Sequence, residues 1–260
     1  MADLRRTGVV VFAAVLLTVG CGTTDEKPPT TSTTSPQPDT ELLNSNVWSA
    51  DPGVDLFSRG AELVRAAVEA GDITLFAGIG ASFPGYAAAI NGPRQVGDDA
   101  IDSGFVSDSK TLPQSKRTEY LHITSYAEEG RTVSANVCRF YLRAEPVPGA
   151  ESNDHTFCEG VMLENSSADA GTSGQRDESV SDHAAQARRL PTWNVFGTWK
   201  IKKLKLLSFA DIPDSCIEWW RQQFPMLTQI GITKSFAASP DSPPPIKPVA
   251  VQYPEWIAQR

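Results

Sequence analysis

His122 is the histidine best placed to act as a base. It falls in the strand-like run Thr118 to Tyr126, and Asp98, Asp99 and Asp102 in the loop before it offer carboxylates to orient the imidazole, as general acid–base catalysis requires. His155 and His183 have no spacing to it that suggests a metal site, and His183 sits in a stretch of Ser, Asp, Gly and Ala. A histidine inside a strand more often serves structure, however, and no serine stands in a G-x-S-x-G context, since Ser82 is followed by Phe83 and Pro84. Gly78-Ile79-Gly80-Ala81-Ser82 lacks the third glycine, the lysine and the preceding strand of a phosphate-cradling loop, and reads as a link between helices. The expectation is a non-catalytic protein with no cofactor and no metal site. An isomerase or hydrolase using His122 with a nearby carboxylate is the alternative.

Lys200, Lys202, Lys203 and Lys205 form the one dense basic patch, interleaved with Trp199, Ile201 and Leu204. Such a run either presses on anionic headgroups or is the solvent face of a strand whose lysines discourage edge pairing; the second is the commoner role. Trp219 and Trp220 are adjacent on a predicted helix and so do not share a face, which places one in the core and the other at its margin. The formal charge of −8 argues against nucleic acid as a partner, because phosphate binding needs a basic surface.

The apolar run from Val9 to Val19, preceded by Arg5 and Arg6, is too short to span a bilayer and reads as an export signal over residues 1–20. Its end, Leu16-Leu17-Thr18-Val19-Gly20-Cys21, resembles the signal box of exported bacterial lipoproteins of the actinobacterial type, with Thr18 where that family usually has an aliphatic residue. The resemblance implies that Cys21 carries a diacylglyceryl group and starts the mature chain at the extracytoplasmic face of the cell membrane. Thr, Ser and Pro dominate from Gly22 to Thr40, too little apolar surface to offset ordering entropy, so residues 21–46 are expected to be a disordered linker. In an exported setting Cys138, Cys158 and Cys216 allow one bridge and one leftover thiol. Cys138 with Cys158 is the favoured pair of the three, because both lie in strand-like runs joined by Pro146-Val147-Pro148-Gly149.

The remaining chain suits one domain with appendages. Asp51-Pro52 reads as a helix start, with apolar residues recurring at helical spacing from Phe57 until Gly71. Two short helical pieces broken by Pro84 follow. Thr118 to Tyr126, a turn at Glu128-Glu129-Gly130-Arg131, and Thr132 to Leu142 read as a hairpin. In its second strand the alternation fails, because Arg139 falls in step with Val133, Ala135 and Val137; a bulge near Cys138 would repair it. A strand from Thr156 to Leu163, a mobile insertion over 164–182, a strand from Thr198 to Leu207, a helix from Asp211 and a Pro-rich tail over 237–260 complete the order. Helices followed by a meander ending in Gly197-Thr198-Trp199-Lys200-Ile201 resemble the nuclear-transport-factor-2-like superfamily. That resemblance implies an α+β fold with N-terminal helices packed on a curved antiparallel, cone-like sheet within residues 47–236. It leaves a small apolar ligand or an envelope protein as the partner, a scaffold or accessory subunit being the further alternative.

Overall fold

The computed structural model of the protein describes residues 43–92, 100–113, 115–146, 155–167, 172–176, 187–239 and 242–259. The signal segment, Cys21 and the Thr/Ser/Pro-rich run to Thr40 lie outside the described residues. Residues 37–260 make one compact unit. It is a mixed α+β structure built on a five-stranded sheet of order β1-β2-β3-β4-β6. Strand β1 (Asn44–Ala50) lies parallel to β2 (Arg117–Glu129); β3 (Thr132–Arg143), β4 (Phe157–Asn165) and β6 (Trp199–Leu206) continue antiparallel. Three helices, α1 (Arg59–Ala77), α2 (Tyr86–Ile90) and α3 (Asp214–Gln223), and two small ladders complete it. The ladders pair β5 (Ala187–Arg188) with β9 (Trp256–Ile257), and β7 (Leu227–Gln229) with β8 (Phe236–Ala238). Among the described residues no helix is long and apolar enough to cross a membrane.

Helix α1 starts eight residues beyond its expected cap. Asp51 to Ser58 turns instead, with Gly53 at φ 93°, and Ser58 Oγ accepts from Ala61 N at 3.3 Å as the N-cap. The helix also runs through Gly71, where a Cβ would fall 3.0 Å from both Leu204 Cδ2 and Phe105 Cδ1. That glycine serves close approach to the sheet, and Gly78, at φ 85°, ends the helix.

The failed alternation in β3 has a different cause from the bulge expected near Cys138. The register runs unbroken through Cys138, which faces His122 on one side and Cys158 on the other. Both faces of the sheet are covered here. Val133, Ala135 and Val137 pack in the cluster that contains α1, while Cys138, Phe140 and Leu142 pack with Trp220, Phe224 and Phe236 of α3 and the β7–β8 ladder. Strict alternation belongs to a sheet with one dry face. The irregularity between β2 and β3 lies instead between Thr124 and Ala127, at Ser125 with φ 51°.

Two expectations are corrected by the second layer and the tail. The bridge joins Cys138 to Cys216, not to Cys158, because α3 brings Cys216 over β3 with a Cα–Cα distance of 5.4 Å; Cys158 stays a buried thiol. Strand β1 already starts at Asn44, and the packed body reaches past the expected limit of 236: Tyr253 N donates to Asn46 O, Trp48 N to Tyr253 O, and Trp256 and Ile257 are buried. Within the expected insertion, Gly174 N donates to Glu62 Oε1 at 2.5 Å and Gln175 N to Ile257 O at 2.8 Å.

Candidate functional site

The parallel register of β1 on β2 sets Ser49 beside His122. Ser49 Oγ lies 2.8 Å from His122 Nδ1, and the turn after β1 brings Asp51 Oδ1 to 3.0 Å from Nε2. A carboxylate only accepts, so Nε2–H donates to Asp51 and Nδ1 accepts the serine proton. Thr124 Oγ1 donates to Asp51 Oδ2 at 2.6 Å and is itself 2.6 Å from Ser215 Oγ on α3. The Trp219 indole stacks on the imidazole at 5.1 Å and 13°. Burial is the largest influence on His122 and lowers its pKa against the pull of Asp51. Burial also works on Asp51, upward, yet the bonds from Thr124 and His122 prevail and hold it below the usual carboxylate value.

Hydroxyl, imidazole and carboxylate in a row are the parts of a nucleophilic relay. Here the imidazole is covered, 9% exposed with both nitrogens bonded and Trp219 over a ring face, while the Asp51 side chain is 37% exposed. What the arrangement does is clamp the chain after β1 to β2 and α3. Of the carboxylates expected to orient His122, Asp102 instead accepts from Leu206 N at 2.8 Å, and Asp98 and Asp99 lie outside the described residues, as does His183. His155 is exposed and bridges to Ala237. Asp51 escaped the sequence reading because Asp51-Pro52 mimics a helix start and a parallel edge strand leaves no local mark.

A His122→Asn variant tests the clamp. An imidazole that resists protonation when folded, but titrates near pH 6.5 when unfolded, contributes stability above about 6.5 that is lost as pH falls. Urea midpoints at about pH 7.5 and 5.5 should therefore differ less favourably for the wild type at the acid end than for His122→Asn. Equal acid slopes in the two proteins would mean that His122 does not carry this term.

The face under α1 holds a buried ionic cluster. Arg139 donates to Asp72 Oδ1 and Oδ2 at 2.9 and 2.7 Å, to Glu159 at 2.6 Å and to Glu119 at 3.0 Å; Arg117 adds a bond to Glu119 at 2.6 Å. Burial pushes Glu159 up to about 7 and also raises Asp72; burial acts on Glu119 too, but Arg117 and Arg139 hold it down. Beside this cluster Glu69 accepts from the indole nitrogens of Trp48 at 2.7 Å and Trp256 at 2.8 Å, and burial takes it to about 7 as well. The gap lined by Asn44, Asn46, Glu69, Asp72, Phe76 and Gln252 measures about 10 Å³, room for a single water.

The opposite face carries an open groove of about 610 Å³, lined by Asn136 of β3, Lys203, Lys205 and Leu206 of β6, and Ser208 and Asp211 of the connection to α3. Strand β6 ends the sheet, and residues 100–102 cap its outer edge through Leu204 N to Ala100 O at 2.8 Å and Asp102 N to Leu204 O at 3.1 Å. Lys200 Nζ donates to Ala88 O at 2.9 Å and Lys202 lies 3.8 Å from Glu164. Trp220 is fully buried, and Trp219 is spent on His122. Gly78 to Ser82 forms a helix-to-helix link, Ser82 Oγ donating back to Ala70 O at 2.7 Å. No family model, curated protein or solved structure matches the chain.

Proposed function

We propose that the protein is an extracytoplasmic lipoprotein, held at the cell membrane by acylated Cys21, whose non-catalytic, nuclear-transport-factor-2-like body works by surface binding as an accessory component of the envelope. The reading is supported chiefly by the filled interior. A cone that stores a small apolar ligand needs an apolar chamber, whereas between α1 and the sheet lie Arg139 with its carboxylates and Glu69 with two indoles, and the gap beside Glu69 and Asp72 measures about 10 Å³. Binding therefore falls to the outside, where the open groove beside β6 measures about 610 Å³. The Ser49–His122–Asp51 row favours a second reading, an isomerase or hydrolase; the stacking of Trp219 on an imidazole whose two nitrogens are both bonded weighs against that.

Metabolic labelling with a clickable fatty acid should tag the wild type and leave Cys21→Ala unlabelled. Equal labelling of both proteins ends the anchor and, with it, the location.

A further inference from the structure

We infer that the groove beside β6 is a docking surface for phosphate-bearing headgroups of an anionic membrane, so that the body lies down on the bilayer instead of hanging free of it. The inference rests on the anchored reading above and names the partner of its binding face.

Lys203 and Lys205 project from the groove floor and have no ion-pair partner among the described residues. Gly160 is what holds Lys203 in place. It lies opposite Lys205 in the ladder, and a Cβ on it would fall 2.6 Å from Lys203 Cε and 2.7 Å from Nζ, so the lysine stem runs flat across the glycine with its ammonium in the groove. Asn136, paired with Gly160, adds a neutral donor to the same floor. The one carboxylate lining the groove, Asp211, accepts from Ser208 Oγ at 2.6 Å.

Leu206 lines the groove, and Phe209 stands in the chain between Ser208 and Asp211 of its lining. Leu206 is 49% and Phe209 56% exposed, in the segment that follows the lysines. Ammonium groups beside an exposed aromatic and an exposed aliphatic suit a headgroup boundary, where charge meets phosphate and the apolar groups enter the acyl margin. An acidic protein segment would satisfy the lysines but would leave Phe209 unexplained. The remainder of the chain supplies orientation: with a net charge of −8 an anionic surface is approached at least cost through a basic patch.

The measurement uses the compact body 37–260, which holds both apolar clusters and the disulfide, so no acyl chain contributes. Co-sedimentation with vesicles containing phosphatidylglycerol should exceed that with phosphatidylcholine alone and should fall as salt is raised. Lys203→Gln with Lys205→Gln should weaken binding roughly 30-fold, at about fivefold per lysine, with an unchanged melting temperature. Phe209→Ser should lower the part of the binding that survives salt. Equal binding to both vesicle types, or no effect of the double substitution, overturns the inference. So does binding of the body to polyglutamate but not to vesicles, which would mark the groove as a site for an acidic protein. Because no lipid is attached to this body, each of these outcomes is independent of whether Cys21 is acylated.

Discussion

Replacing Arg139 with methionine should cost about 3–5 kcal/mol at neutral pH, a large part of the stability of a domain this size. The substitution keeps the volume and removes the only cation that touches Asp72, Glu119 and Glu159 together, all nearly inaccessible, leaving Arg117 alone to face Glu119. Asp72 and Glu159 are then left in a low-dielectric space without a countercharge in contact, and both repel Glu119. The loss should depend on pH in a definite direction. Glu159 already titrates near 7 in the folded protein against 4.5 when free, and without the guanidinium its folded value rises further. A carboxyl group raised on folding contributes stability that is full below its unfolded pKa and lost as pH rises through the folded one. The urea midpoint of Arg139→Met should therefore recover on going from about pH 8 to about pH 5, and the triple variant with Asp72→Asn and Glu159→Gln should recover at least half of the loss at neutral pH. A deficit of the same size at both pH values would mean that packing, not charge, is what Arg139 supplies.

Removing two of the three core cysteines should cost about 4–5 kcal/mol, whereas removing Cys138 alone should cost much less. The bridge between Cys138 and Cys216 closes a separation of 78 residues, which places its constraint on the unfolded chain near that figure. Cys158 Sγ, however, lies 3.7 Å from Cys216 Sγ. In Cys138→Ser the thiols of Cys158 and Cys216 can oxidise to a bridge spanning 58 residues, with nearly the same effect on loop entropy. Peptide mapping without reduction should find that new bridge in Cys138→Ser and none in Cys138→Ser with Cys158→Ser, and only the double variant should show the full drop in melting temperature. In the wild type, burial and then the neighbouring Glu159 push the Cys158 thiol up to about 12, so it should resist alkylation until the chain unfolds. A wild-type thiol that reacts readily in the folded state, or a single variant with no bridge, would refute this account.

Periodicity and turn chemistry carried the local part of the fold. The hairpin through Gly130, the strand Trp199–Leu206 and the helix with Cys216 and Trp220 stand close to where the pattern puts them, because each answers to residues within a few positions of itself. Legibility ended where burial came from two sides. Arg139 in step with Val133 and Val137 looked like a broken strand, when it marked a charge buried under α1 while Phe140 and Leu142 met a second layer from the far end of the chain.

The candidate site was half legible for the same reason. His122 was visible as a histidine in a strand, but its partners Ser49 and Asp51 stand more than seventy positions earlier and reach it only through a parallel pairing that no local signal announces. By itself the sequence determined the β2–β3 hairpin, strands β4 and β6 and helix α3, the acidic balance and which side chains had chemistry to offer. Tertiary structure alone decided which carboxylate met His122, which thiol met Cys138 and how the interior was filled, since contacts between distant segments depend on register and layer order, and neither is encoded within a single stretch of chain.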